Sequence, residues 1–287
     1  MTDIVKTAKE LLESGTVEYI IGYMQGYGNQ TKPFIAHTPQ EAEKFVFNNY
    51  CLNNLSVYIN RLNVPKEKKI GIFAKGCDVR AITMLIQESQ IKRENLYIIG
   101  MNCNGVVKDF DFEWKLENIA PKCLTCTVHT PKVYDVLLGE LENLSPAASK
   151  VNEIMAKFDT MTAQERWNYW ESQFEKCIKC YACRQACPLC YCEQCIVDKN
   201  MPQWIETSAS ARGNFSWNII RAFHQSGRCV GCGECDRVCP MDIPLSLLNM
   251  KMGMTARTEF NYMPGMNLDE PTLVGTYKFE DKEDFIK

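Results

Sequence analysis

This chain of 287 residues has no apolar run long enough to cross a bilayer. Its most hydrophobic stretches, Tyr19-Ile20-Ile21 and Leu96-Tyr97-Ile98-Ile99, are short. Its start, Met1-Thr2-Asp3-Ile4-Val5-Lys6, lacks a basic head followed by an apolar segment and a cleavage site, so nothing points to secretion. Charge of one sign is also missing: 32 Lys and Arg face 35 Asp and Glu, a net of −3, which leaves no overall basic surface for nucleic acid or anionic lipid. No Gly-x-Gly-x-x-Gly phosphate loop is present, since Gly22, Gly26 and Gly28 do not follow that spacing. No carboxylate pair for acid–base work, nucleophile triad or metal–water site is visible. These absences predict a cytoplasmic protein with no membrane span, no nucleic-acid partner and no catalytic residues of its own.

What the chain has in excess is cysteine, sixteen in all. In a reducing compartment clustered thiols read as metal ligands rather than disulfides. Eleven of the sixteen fall between residues 177 and 239. Eight of these form two copies of one pattern. Cys177-x2-Cys180-x2-Cys183-x3-Cys187-Pro188 is followed by Cys229-x2-Cys232-x2-Cys235-x3-Cys239-Pro240. A CxxC pair alone is ambiguous between zinc and iron. The doubled, proline-terminated run is the one that holds two [4Fe-4S] clusters, with the last cysteine of each run serving the other cluster. One set is therefore Cys177, Cys180, Cys183 and Cys239; the other is Cys229, Cys232, Cys235 and Cys187. A helix is expected after each proline. Binding of the metal groups is expected to be coupled to folding, because the crossed ligation ties the two runs together.

Two regions of different construction follow from this distribution: an α/β N-terminal domain and an α-rich dicluster ferredoxin-like C-terminal domain. Asp3 caps a predicted helix over Ile4–Leu12, with Gly15 just past its end. Strands are predicted over Val17–Tyr23, Lys69–Ala74 and Asn95–Gly100, with a helix over Asp78–Gln87. Thr38-Pro39-Gln40-Glu41 is a capping box expected to open a helix through Phe47. Alternating strands and helices imply a parallel or mixed sheet covered by helices. Ser145-Pro146 starts a predicted helix, and Thr162-x-x-Glu165 caps another from Ala163. On the latter, Trp167, Trp170 and Phe174 share one face, read as a packing stripe joining two domains. A further helix is expected over Asn214–His224, with His224 packed or hydrogen-bonded rather than a ligand. The expected boundaries are an α/β domain over 1–144, a helical linker over 145–176, the dicluster domain over 177–258 and a charged tail over 259–287.

Four cysteines of the first half are grouped by context. Cys77 lies at a strand-to-helix turn in Gly71-Ile72-Phe73-Ala74-Lys75-Gly76-Cys77, Cys103 follows the strand ending Ile99-Gly100-Met101-Asn102, and Cys123-Leu124-Thr125-Cys126 lies in a loop before Tyr134-Asp135-Val136-Leu137-Leu138-Gly139. Turns after parallel strands gather at one sheet edge, so these thiols are expected to meet there. Cys77 as a nucleophile at a helix N-terminus is the alternative.

The Gly76-Cys77 turn after a strand, the Ile99-Gly100-x-x-Cys103 segment and Cys123-x-x-Cys126 followed by Asp135-Val136 resemble the coenzyme F420 hydrogenase/dehydrogenase beta-subunit family, which includes the beta subunits of formate dehydrogenases. The resemblance covers roughly residues 15–142. It implies a cubane cluster on Cys77, Cys103, Cys123 and Cys126. Enzymatically active members bind FAD and reduce a deazaflavin. Here the chain departs from the family after Gly139, turning to helices and the cysteine runs where the family usually continues its α/β structure. If a flavin binds, Lys75, Gly76 and Arg80 are its expected contacts. The four thiols left over, Cys51, Cys190, Cys192 and Cys195, have the number for a fourth cluster bridging the two domains. The reading of the whole is an iron–sulfur subunit of an anaerobic oxidoreductase complex of the formate dehydrogenase, hydrogenase or heterodisulfide-reductase type. It would relay single electrons between a flavin-bearing partner and a catalytic partner. The alternative is an FAD enzyme acting directly on reduced coenzyme F420 or NAD(P)H.

Overall fold

The computed structural model describes residues 3–61, 68–124, 126–141, 155–277 and 279–280. They fall into two compact units: Met1–Ala148 with Gly265–Glu270, and Ser149–Pro264 with Pro271–Lys287. The helix expected at Ser145-Pro146 lies outside the described residues.

The first unit is built on a mixed five-stranded sheet in the order β2-β1-β3-β4-β5. The strands are β1 (Tyr19–Gln25), β2 (Thr31–Ala36), β3 (Ile70–Ala74), β4 (Leu96–Met101) and β5 (Val136–Leu138). β2 runs antiparallel to β1, and the other pairings are parallel. Every residue of β3, Ile-Gly-Ile-Phe-Ala, is buried, as a central parallel strand covered on both faces requires. Helix α1 (Asp3–Glu13) and helix α2 (Gly76–Gln87) flank the sheet in sequence. β2 was not expected from the sequence, and it carries Pro33, which would interrupt the ladder of a central strand. It is tolerated here because β2 pairs only with β1 and leaves one edge free.

The predicted helix over 38–47 is corrected by the structure. Its capping box forms: the Glu41 backbone N–H donates to Thr38 Oγ1 at 3.2 Å, and the Glu41 carboxylate accepts the Thr38 N–H at 3.2 Å. Only one 3-10 turn, Glu41–Lys44, follows. Phe45 then extends and bridges to Met24. Its ring packs edge-on to Phe73 at 5.0 Å and lies over Gly22, where a Cβ would meet it at 2.5 Å. Burying that ring in the sheet core outweighs a local preference worth about 1 kcal/mol.

The second unit is helical. It contains α4 (Ala163–Glu175), α5 (Ala182–Ala186), α6 (Ala211–His224), α7 (Glu234–Arg237) and α8 (Leu245–Phe260), while the short α3 (Pro121–Leu124) belongs to the first unit. α4 has the expected capping box, with the Thr162 N–H donating to the Glu165 carboxylate at 2.7 Å and the Glu165 N–H to Thr162 Oγ1 at 3.2 Å. The aromatic stripe packs inside this unit. Trp170 stacks with Phe158 and Phe174, and the half-exposed Trp167 leans on Phe215 at 4.9 Å. α8 follows Pro240 as expected, but no comparable helix follows Pro188. There the chain turns irregularly to a 3-10 turn, Ile196–Asp198. Leu189 is buried, its carbonyl accepts from Arg228 at 3.3 Å, and the Arg228 guanidinium lies 5.3 Å from the Tyr191 ring. These long-range contacts hold the segment out of a helix. His224 is exposed at the end of α6, which corrects its expected packing.

Candidate iron–sulfur sites

The two cysteine runs adopt matching backbones. The third and fifth residues of each are left-handed: Lys179 and Tyr181 in the first (φ 58° for both), Gly231 and Gly233 in the second (φ 72° and 66°). This pair of reversals curls each Cys-x2-Cys-x2-Cys segment into a loop. The second run uses glycine, for which the conformation is free of strain. The first run imposes it on Lys and Tyr at a cost of order 1–2 kcal/mol each, offset by tertiary contacts. Tyr181 packs edge-on to Trp217 at 5.0 Å, and Lys179 Nζ donates to the Glu206 carbonyl at 3.2 Å. A short helix then carries the third cysteine of each run: Cys183 on α5 and Cys235 on α7.

Cys177, Cys180, Cys183 and Cys239 line one small, partly open cavity, walled by Tyr181, Trp217, Pro240 and Ile243 among others. This is the set expected from the crossed spacing. Cys187, the last cysteine of the first run, lies within electrostatic reach of Cys232 and Cys235, which also feel Cys229. Burial raises the free-thiol pKa of Cys232 and Cys235 well above the ordinary range. A hydrogen bond with Cys190 pulls the Cys187 thiol below it. Four thiols around one cavity with apolar walls, from the buried Cys183 to the exposed Cys180, suit a cubane, whose thiolate ligands must be deprotonated as it binds. Among the described residues no three Cys, His, Asp or Glu side chains close on a single ion.

One helix runs beside both sets; the sequence reading expected it over Asn214–His224 but missed the role of its polar face. α6 turns Asn214, Asn218 and Arg221 inward, and Gln225 follows at its C-terminal end; all four are buried. Asn214 Nδ2 donates to the carbonyls of Phe174 (2.9 Å) and Cys177 (2.7 Å). Asn218 lines the cavity. Arg221 Nη2 donates to the Cys183 carbonyl at 3.2 Å, and Gln225 Nε2 donates to Cys190 Sγ at 3.5 Å. The signal was present as polar residues at i, i+4, i+7 and i+11, one helical face, but a polar stripe ordinarily marks the solvent side.

In the first unit, Cys77 sits in the first turn of α2 after β3, and Cys103 follows β4. Cys123 lies on α3, with Cys126 just beyond it. Cys77, Cys103 and Cys123 all act electrostatically with Cys126. Burial raises the Cys103 thiol to about 12. Three backbone N–H groups donate to sulfur at 3.4 Å: Gly105 to Cys103, Val106 to Cys123 and Val128 to Cys126. Donors of this kind favour thiolate over thiol and tune cluster potentials. Cys103 and His129 are tied together, the Cys103 N–H donating to the His129 carbonyl at 3.0 Å. The donor set therefore fits a cluster.

Lys75 is turned inward. Its ammonium donates to the Tyr23 hydroxyl, to the carbonyls of Cys51 (3.1 Å) and Asn53 (2.8 Å), and pairs with Asp78 at 3.3 Å. Burial disfavours its charge, but Asp78 and the neighbouring thiols Cys77, Cys103 and Cys51 outweigh this and raise its pKa. Gly76 makes a close approach: a Cβ there would lie 2.0 Å from the Val128 carbonyl oxygen. Arg80, one turn further along α2, acts on Cys126. With the Lys75 ammonium committed internally, it is not available to a flavin phosphate, and the residues here do not fit that group. Cys51 is fully buried in the core of the first unit, within hydrogen-bonding distance of Asn48. Cys190, Cys192 and Cys195 belong to the second unit: Cys190 beside Cys187, Cys195 hydrogen-bonded to Arg184, and Cys192 exposed.

Residues 176–244 match the family described as a 4Fe-4S dicluster domain. The chain is similar to the F420-dependent formate dehydrogenase subunit beta of Methanocaldococcus jannaschii, at 27% identity over 72% of this chain and 76% of that protein. It is also similar to the F420-dependent formate dehydrogenase 1 subunit beta of Methanococcus maripaludis, at 24% identity over 73% and 76% of the two chains. The resemblance read from the cysteine-bearing turns is thus borne out by these relatives, and the α/β-plus-dicluster architecture by the fold. Among the described residues no helix is long and apolar enough to cross a membrane.

Proposed function

We propose that this chain is the iron–sulfur electron-transfer subunit of a cytoplasmic anaerobic oxidoreductase complex. It relays single electrons between a flavin-bearing subunit and a catalytic subunit of the formate dehydrogenase, hydrogenase or heterodisulfide-reductase type. The observation that carries the reading is the convergence of Cys177, Cys180, Cys183 and Cys239 on one cavity, with Cys187 crossing to the other run. A bound cluster supplies one-electron redox chemistry. The chain's own residues hold it and fix its electrostatic surroundings. Cys77, Cys103, Cys123 and Cys126 hold a third cluster in the first unit. The names of the relatives point to formate as the reductant handled elsewhere in such a complex.

The test is anaerobic purification followed by iron and acid-labile sulfide assay, EPR of the reduced chain, and reconstitution with partner subunits. The expected result is about twelve irons per chain, as three cubanes require, and a complex that loses electron passage between its flavin and catalytic subunits when this chain is left out. Stoichiometric zinc with negligible sulfide overturns the reading. The relatives' F420-dependence favours one second reading, an FAD enzyme acting on reduced F420 or NAD(P)H. One flavin per chain released on denaturation, with hydride-donor oxidation by the isolated chain, would establish it instead.

A further inference from the structure

The least expected charge in the second unit is Arg221. It lies in the middle of α6 and is only 5% exposed. A buried guanidinium is ordinarily paired with a carboxylate, because its desolvation must be compensated. Among the described residues Arg221 has no ion-pair partner. The acid that feels its charge, Asp236, spends its carboxylate on the Ser246 N–H at 2.7 Å and on the Ser246 hydroxyl. Arg221 Nη2 reaches the Cys183 carbonyl at 3.2 Å, while its buried Nε–H has no acceptor. The groups that act on its charge are Cys187, Cys235, Cys190 and Cys183. Cys183 belongs to one ligand set, Cys187 and Cys235 to the other. The missing counter-charge therefore comes from sulfur, and from both sets at once.

We infer that Arg221 is the shared counter-cation of the two cysteine sets, a positioning residue that raises the reduction potential of both clusters in the second unit. This rests on the reading that these sets bind cubanes. A cubane held by four thiolates is a net anion, and accepting one electron adds one negative charge with no proton taken up. A fixed positive charge in a poorly screened interior stabilises the reduced form more than the oxidised form. The guanidinium stays protonated at every accessible pH, so its effect does not titrate. Placement against both sets moves the two potentials together. That suits a relay, in which a large step between adjacent centres would trap the electron.

The experiment is an EPR-monitored redox titration of the full chain, purified anaerobically with its iron content measured, for wild type, Arg221→Met and Arg221→Lys. Arg221→Met removes the charge while keeping much of the side-chain volume. At the wild-type midpoint it is expected to shift the reduced-to-oxidised ratio of both second-unit clusters about tenfold toward oxidised, equivalent to about 59 mV for a one-electron couple. Arg221→Lys keeps the charge and is expected to shift the ratio less than about threefold. The cluster on Cys77, Cys103, Cys123 and Cys126 is the internal control and should not move. Unmoved potentials in an iron-replete Arg221→Met chain overturn the inference, and so do equal shifts in Met and Lys variants. If Arg221→Met loads no iron, Arg221→Lys decides: full iron with near wild-type potentials supports the charge role, and failure to load refutes it. Zinc or no metal in the wild-type chain instead refutes the cluster reading itself.

Discussion

Replacing Gly76 with Ala tests the first-unit site without touching a ligand. Gly76 opens α2, one residue before Cys77, and its Cα faces the backbone of Val128, two residues after Cys126. A Cβ at this point would stand 2.0 Å from the Val128 carbonyl oxygen and 3.0 Å from its carbonyl carbon. Relief to ordinary contact needs a retreat of more than about 1 Å, and the obstacle is backbone, so no side-chain rotation supplies it. Overpacking of this kind costs about 1–3 kcal/mol. The same displacement carries Cys126 away from Cys77, because the Val128 N–H is bonded to Cys126 Sγ and the adjoining His129 is bonded to Cys103. A cubane tolerates little change in ligand separation, so the variant should lose about four of about twelve irons while the two dicluster EPR signals persist. Iron and sulfide assay, EPR and anaerobic thermal unfolding measure the three consequences. A Gly76→Ala chain with full iron and unaltered unfolding would refute the close-approach argument and the site built on it.

The crossed ligation predicts that Cys239→Ala abolishes the cluster held by Cys177, Cys180 and Cys183, and that Cys187→Ala abolishes the other; iron assay with EPR line shapes distinguishes them. If each substitution removed the cluster of its own run, the crossing would be wrong. Gly231→Ala should destabilise the loaded chain by about 1–2 kcal/mol in thermal unfolding, the cost of a left-handed non-glycine residue, since a Cβ there meets no atom within 4 Å and strain acts alone. An unchanged melting temperature would show that the loop does not hold this conformation. The fourth-cluster expectation would require about sixteen irons per chain in place of about twelve, with about four of them lost in Cys51→Ala; unaltered iron in that variant ends it.

Much of the site was legible because it is written in spacing. The repeated CxxCxxCxxxCP run names eight candidate ligands and their expected crossed partition, and the structure gathers Cys177, Cys180, Cys183 and Cys239 around one cavity. The parallel strands were legible as short apolar runs before helical segments, which brings Cys77 and Cys103 to the ends of β3 and β4. β2 was illegible because Pro33 is permitted only at a sheet edge, a position set by neighbours. The segment Gly265–Glu270, read as part of a tail, groups with the first unit, where Gln87 Nε2 donates to the Asn267 carbonyl at 2.8 Å. No local pattern announces such a contact.

What the order of residues determined alone was the chemistry: soft thiolate donors, three of each expected set spaced within one short loop. The tertiary structure alone decided the surroundings of those sulfurs. It stopped the 41–44 turn so that Phe45 enters the core, turned Lys75 inward to Asp78, and laid the polar face of α6 along both cysteine sets with Arg221 on Cys183. Ligand spacing is a property of a few consecutive bonds. The environment of a buried charge is a sum over groups far apart in the chain, and it exists only once they are packed.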